Sequence, residues 1–367
     1  MNLVLEPTKC KSLSIISGCS KVVNFQLSDQ SIQSLLNSPQ KFLGSYITFS
    51  GKQNELFNYI YDGINVTLTN IDKSLIRDEY KLKVYAKYMI PAIRFKLTVH
   101  EITKTNLHKL DALSDRYIKK WLHMPQSATM AIVHTLEGLG IKSLSHLYKE
   151  SRAVAHATSR LKADKQVNAA LDSKVYRERQ WVRKDSITVY SENILQQSCP
   201  NIPDNPDNKY IEATKKKVKQ NINKAIQDNW FSHIKNLTVQ GKFLYILKIE
   251  KSNITWKSII YDLPKGILQF ATNACIDSLA TNANLKRWGK RNTSKCLLCK
   301  QHETLHHVLN NCQELLERYT WRHDSILNYL HQMLQNYINP GFTLYTDLPG
   351  KHLGITTIPL DITVTPQ

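Results

Sequence analysis

The spacing of apolar residues changes period along this chain. Within residues 1–50, short apolar runs at 12–16, 22–27 and 41–47 are separated by Gly18 and polar residues, which predicts strands joined by turns. Gly44 inside the third run predicts a bulge or a close backbone approach. From residue 51 the spacing becomes helical, with Leu56, Tyr59, Ile60, Ile64 and Thr67 falling on one side. A second helix is predicted over 73–97. Pro91 should kink or divide it, because proline lacks an N–H and its ring crowds the carbonyl four residues back. Leu107, Leu110, Leu113, Tyr117, Ile118 and Trp121 predict a third, and polar-faced helices follow at 143–163 and 165–182. Pro200, Pro203 and Pro206, interleaved with Asn and Asp, predict a linker over 196–209. Beyond it, Val218, Ile222, Ala225, Ile226 and Asn229 mark one helix face, with Lys215, Lys216, Lys217 and Lys219 on the other. A further helix is expected over 264–281. Pro340 and Gly341 should stop a later helix, before strand-like pieces that run to Gln367. The predicted class is α+β and mainly helical.

Composition adds a partner to this outline. The chain has 367 residues, enough for two or three domains, and its 42% hydrophobic content suits a folded core. Its net charge of +19 suits either a highly charged but uncommitted surface or one that meets a polyanion. An excess of Lys and Arg attracts polyanions and releases their condensed counterions, so RNA or DNA is the expected partner. No apolar run approaches the ~20 residues of a spanning helix, and residues 1–19 lack a signal-peptide pattern. No membrane and no small-molecule substrate are expected, and the compartment is read as nuclear or cytoplasmic, not secreted. Cys10, Cys19, Cys199 and Cys275 are scattered, as thiols in a reducing compartment are.

The charge is concentrated. Residues 210–300 hold 17 Lys and Arg against 5 Asp and Glu. Density peaks at Lys286, Arg287, Lys290, Arg291 and Lys295, around Trp288. Such a stretch can hold a phosphate backbone while the indole stacks on a base or sugar. Alternatively, Trp288 is buried in a local core and the charges form a solvated face. Lys215, Lys216, Lys217 and Lys219 form a second candidate contact, equally readable as a solvated helix face or a localisation signal.

Directly after the basic peak, three of the seven cysteines fall within residues 296–312, in the arrangement C-x2-C-x7-H-x4-C. Cys296 and Cys299 can grip one ion from a single turn, and His307 and Cys312 can complete a tetrahedron. Thiolates and closed four-coordination select zinc, and with no open position the ion is structural. His302 and His306 also lie between the thiols. His307 is preferred because it leaves the x4 spacing to Cys312.

Catalytic patterns are absent from the sequence: no paired carboxylates at a strand turn, no Gly-rich phosphate loop and no nucleophile elbow. Asp111 and Asp115, beside Arg116, Lys119 and Lys120, read as helix-surface ion pairs. Arg322, His323 and Asp324 form a compact trio, but on a helix they point in three directions.

Several of these segments together resemble a known family. Lys41-Phe-Leu-Gly-Ser45, Tyr88-Met-Ile-Pro-Ala-Ile-Arg-Phe95 and Asp111-Ala-Leu-Ser-Asp-Arg-Tyr-Ile-Lys-Lys-Trp-Leu122 look like the segments that follow the polymerase active site in non-LTR retrotransposon reverse transcriptases. The zinc pattern and then Arg322-His-Asp324 follow in the order seen in the branch that ends in a restriction-like endonuclease. The resemblance implies that residues 1–50 are the end of a palm-like subdomain, with the segment from Pro7 to Ser12 as its lysine-bearing turn. It implies a helical thumb-like region over 51–195, which grips primer–template in the family. Residues 210–320 would be a basic linker region with a CCHC zinc knuckle at 296–312. Residues 321–367 would open an α/β endonuclease-like domain, with Arg322, His323 and Asp324 as its first motif.

The same resemblance implies parts whose motifs do not occur in this sequence. The family binds Mg²⁺ through palm aspartates that include an aromatic-x-Asp-Asp turn, and no such turn occurs here. Its nuclease needs a Pro-Asp and a spaced Asp and Lys, which the closing Thr365-Pro-Gln367 only approaches. The expectation is a truncated polyprotein fragment that binds zinc and nucleic acid without catalysis of its own. Mg²⁺ would serve only the complete parent enzyme, an RNA-directed DNA polymerase and endonuclease. Two alternatives are a thumb and linker serving a palm encoded upstream, and a domesticated nucleic-acid-binding protein.

Overall fold

A computed structural model describes residues 53–100, 102–161, 206–249, 263–338, 342–346 and 362–366, most of 10–47, and positions 6, 166, 169 and 348. The chain forms two compact units, Met1–Ile276 and Asp277–Gln367. Among the described residues it is mainly helical, with small antiparallel two-stranded sheets. The predicted helix over 165–182, Gly44 and the linker up to residue 205 lie outside the described residues, apart from positions 166 and 169.

The first unit opens with three hairpins of three-residue strands. β1 (Ser14–Ile16) pairs with β2 (Cys19–Lys21), β3 (Phe25–Leu27) with β4 (Gln30–Ile32), and β5 (Gln40–Phe42) with β6 (Ser45–Ile47). A bridge between Ser12 and Ser34 links the first two. Ile15 and Phe25 are exposed.

Helices build the core. α1 (Gln53–Lys73) buries Phe57, Ile60, Ile64, Leu68 and Ile71 at three- and four-residue spacing. Pro91 does not divide the second predicted helix. α2 (Asp78–Val84) passes through one π turn (Tyr85–Met89) into α3 (Ile90–Val99). The Ile90 N–H bonds to the Tyr85 carbonyl five residues back, so the helix widens just where the proline ring needs room. α4 (Lys104–Trp121) is capped by Thr103, whose Oγ1 accepts the Asn106 N–H, and it buries Leu107, Leu110, Leu113, Ile118 and Trp121. α5 (Ala131–His134) is short, and α6 (Leu144–Leu161) follows it.

α7 (Asn208–Asn236), capped by Asp207, packs along α6. Val218, Ile222 and Ile226 meet Ala153 and Ala157, whose small side chains let the two backbones approach. Polar contacts set its position: His146 Nε2 with Asn223 Oδ1 at 2.6 Å, and Gln227, which donates to the His134 carbonyl at 3.3 Å and accepts from the Leu136 N–H at 3.2 Å. Buried Glu150 sits among Lys142, Arg94 and Lys219. α8 (Lys242–Ile249) follows, and then α9 (Lys265–Cys275), which ends short of the predicted 281. α9 is held by Lys265 to Asp78 at 2.8 Å and by Asn273 donating to the His123 carbonyl. Hydrogen bonds from Lys265, His123 and Lys81 outweigh the burial of Asp78 and hold its carboxyl down at about 2.

Asp111 and Asp115 differ from expectation. Asp111 accepts the Ser145 N–H at the start of α6, and Asp115 faces buried His134 at 3.3 Å. Both line a cavity of about 480 Å³ with His108, His146 and Trp230. Their work is internal, because α6 and α5 supply partners that α4 alone does not show.

In the second unit, α10 (Asn282–Arg287) precedes the cysteine-rich loop, and α11 (Leu316–Gln335) follows it. β7 (Phe342–Thr346) then pairs antiparallel with β8 (Ile362–Pro366), in the region expected to hold strands. His331 of α11 bonds Thr346 of β7 at 2.6 Å.

Candidate metal centre

The loop after α10 doubles back as a small hairpin. Lys295 bridges His302, the Cys296 N–H donates to the Gln301 carbonyl at 2.7 Å, and the Glu303 N–H donates to the Ser294 carbonyl at 2.8 Å. The Lys300 N–H returns to the Cys296 carbonyl at 3.1 Å, with Lys300 in the left-handed region at φ 64°. This turn carries Cys296 and Cys299. Thr304 Oγ1 accepts the His307 N–H at 3.1 Å and starts a π turn (His307–Asn311) that delivers Cys312. A 3₁₀ turn (Gln313–Leu315) leads on to α11.

Cys296, Cys299, His307 and Cys312 each present one donor atom, and these atoms all lie within 4.8 Å of one another. Cys296 Sγ is 4.0 Å from Cys312 Sγ, and Cys299 Sγ is 3.2 Å from His307 Nε2. Sulfurs placed ~2.3 Å from a central ion at tetrahedral angles stand roughly 3.8 Å apart, so the cluster has the span one zinc needs. Cys296, His307 and Cys312 are buried.

The thiols differ in their surroundings. Backbone N–H groups, that of Cys299 foremost, hold the Cys296 thiol down at about 7. Burial, with the neighbouring thiols, pushes Cys312 up to about 11. A dication held among them would reverse that penalty and displace the protons.

The four residues chosen from the spacing are therefore the ones brought together. His302 and His306 are exposed and turned elsewhere, His302 to Ser294 Oγ at 3.0 Å and His306 to Asn311 Nδ2 at 3.3 Å.

The basic peak sits beside this loop and is fastened to it. Glu303, on the hairpin, accepts the Asn282 N–H at 2.8 Å and its Nδ2 at 2.9 Å, capping α10 from outside. Asn282 also donates to the Lys295 carbonyl and accepts from Arg291. Lys286, Arg287, Lys290, Arg291 and Lys295 are exposed. Trp288 is half-buried, with Lys290 Nζ 6.0 Å from its ring centroid. Lys216, Lys217 and Lys219 lie exposed on α7 in the other unit, and Lys215 pairs with Glu212. Sequence reading missed Glu303 and Asn282, because 21 residues separate them and no local pattern joins them.

The Arg322, His323 and Asp324 trio does not converge. Arg322 donates to the Leu309 carbonyl at 2.7 Å and to Asn310 Oδ1, whereas His323 and Asp324 face each other at 3.1 Å.

Comparison with known proteins agrees with this site. The family model described as zinc-binding in reverse transcriptase matches residues 216–321, which include all four donors. The chain is also 22% identical over 339 residues to the Retrovirus-related Pol polyprotein from type-1 retrotransposable element R2 of Nasonia vitripennis. That alignment takes in 88% of this chain and 29% of the relative, so the chain spans less than a third of the relative's length. Both findings support a retrotransposon-related protein with a possible zinc site.

Proposed function

We propose that this chain is the zinc-bearing, nucleic-acid-handling part of a non-LTR retrotransposon polyprotein and performs no catalysis by itself. The observation that carries the reading is the convergence of three thiols and an imidazole within 4.8 Å, beside a fastened row of exposed cations. Cys296, Cys299, His307 and Cys312 would hold one zinc. The ion would cross-link the hairpin to the π turn, and with every position filled by protein its role is structural. Lys286, Arg287, Lys290, Arg291 and Lys295 would take RNA or DNA phosphates, with the α7 lysines as a second contact.

In this reading residues 1–50 correspond to the end of a palm, 51–195 to a thumb, 196–209 to a linker, 210–320 to the zinc-bearing region and 321–367 to the opening of an endonuclease. The alternative, a thumb and linker serving a polymerase palm encoded elsewhere, is favoured by an alignment that covers only part of a much longer relative.

Purified chain should contain about one zinc, and Cys296→Ser should lose it. RNA or duplex DNA binding should weaken steeply with salt, and neutralising Arg287, Lys290 and Arg291 together should flatten the salt slope by about 3 in log–log terms. A metal-free chain, or affinity indifferent to salt, defeats the proposal. Polymerase and nuclease assays with Mg²⁺ should both read blank.

A further inference from the structure

We infer that Tyr319 is a positioning residue for the metal centre, its hydroxyl tying the first turns of α11 to both donor-bearing ends of the segment from His307 to Cys312. The inference rests on the zinc reading above and adds to it a residue outside the donor set.

Tyr319 sits half-buried in α11, seven residues beyond Cys312. Its hydroxyl accepts the Cys312 N–H at 3.1 Å. The same oxygen lies 2.9 Å from the Val308 carbonyl and 3.2 Å from the His307 carbonyl, and its single proton goes to one of these at a time. One turn further on, Arg322 donates to Leu309 and Asn310, with its guanidinium 5.5 Å from the Tyr319 ring centroid. Tyr319 and Arg322 together therefore touch every residue from His307 to Cys312 except Asn311.

The two halves of the cluster are held by different means. Cys296 and Cys299 ride on a hairpin whose own backbone bonds fix it. His307 and Cys312 stand at the two ends of a π turn, a wide turn that sequence propensity supports poorly. The gap between His307 Nε2 and Cys312 Sγ follows the width of that turn, and the α11 clasp sets it. Coupling runs both ways: an ion that fixes residues 307–312 also anchors the start of α11.

The test uses the full chain, with Co²⁺ as a spectroscopic probe and zinc release to excess chelator as the rate measurement. Tyr319→Phe and Arg322→Gln should keep a tetrahedral thiolate–imidazole cobalt spectrum and release zinc about tenfold faster, the scale on which such supporting partners act. Metal should slow amide exchange over residues 316–322 in the wild type, and less so in Tyr319→Phe. A purely structural role would destabilise metal-free and loaded chains alike and leave this metal-dependent protection unchanged. Wild-type release rates in both variants, or undiminished protection, overturn the inference while leaving the zinc reading intact. A wild-type chain with no cobalt absorbance overturns both. Should Tyr319→Phe fail to fold, the wild type decides: residues 316–322 whose amide exchange is no slower with metal than without it overturn the inference.

Discussion

A single imidazole distinguishes the candidate metal cluster from a generic group of buried thiols. His307 and His306 are adjacent, yet only His307 is buried with its Nε2 3.2 Å from a thiol. His307→Ala should therefore lower zinc affinity by orders of magnitude, and His306→Ala should leave it within a factor of about two. Competition with a chromophoric chelator measures both, and equal losses would mean that the donor assignment is wrong. The spacing to Cys312 already preferred His307. It could not show why, because the hydroxyl that holds the backbone of this turn, that of Tyr319, lies beyond the motif.

At the scale of elements, the apolar periodicities of α1, α4 and α7 were readable because each helix buries one stripe of its own residues. Ile222, completely buried between α7 and α6, shows the energetic weight of such a stripe. Ile222→Ala should cost about 2–5 kcal/mol, measured by urea denaturation. A loss below about 1 kcal/mol would mean that the α6–α7 seam carries little of the unit's stability. The π turn before Pro91 was not readable. Propensity says only that proline disrupts, and whether the helix breaks or widens depends on what packs around it, here buried Tyr85 and Met89.

Across the first unit, stability depends on buried charges as well as apolar area. Burial alone would push the His134 imidazole down. The hydrogen bond and charge of Asp115, the Ile141 carbonyl and Asp111 outweigh it, so its pKa is raised. Both ring nitrogens face acceptors, Ile141 O at 2.7 Å and Asp115 Oδ1 at 3.3 Å, as a doubly protonated ring requires. A raised folded-state pKa stabilises fully below the unfolded value of ~6.5, and that contribution is lost as pH rises through the folded value. Asp115→Asn should therefore be more destabilising at pH 6 than at pH 8. Buried His146, whose pKa burial lowers, has the opposite dependence in both proteins, so the wild-type-minus-variant difference is the quantity to follow. Equal penalties at the two pH values would show that His134 is not charged in the fold.

By itself the sequence determined the features that depend on short spacing: helical stripes, the thiol and imidazole pattern, and the basic peak before it. Each is a local property, written within a few turns of chain. Only the tertiary structure decided what depends on distant partners. It packed the lysine-bearing α7 against α6, turned Asp111 and Asp115 to internal use, capped α10 with Glu303, and drew Tyr319 and Arg322 onto the segment from His307 to Cys312. Such contacts join residues through packing, and no residue's local pattern records which distant backbone group its side chain will meet.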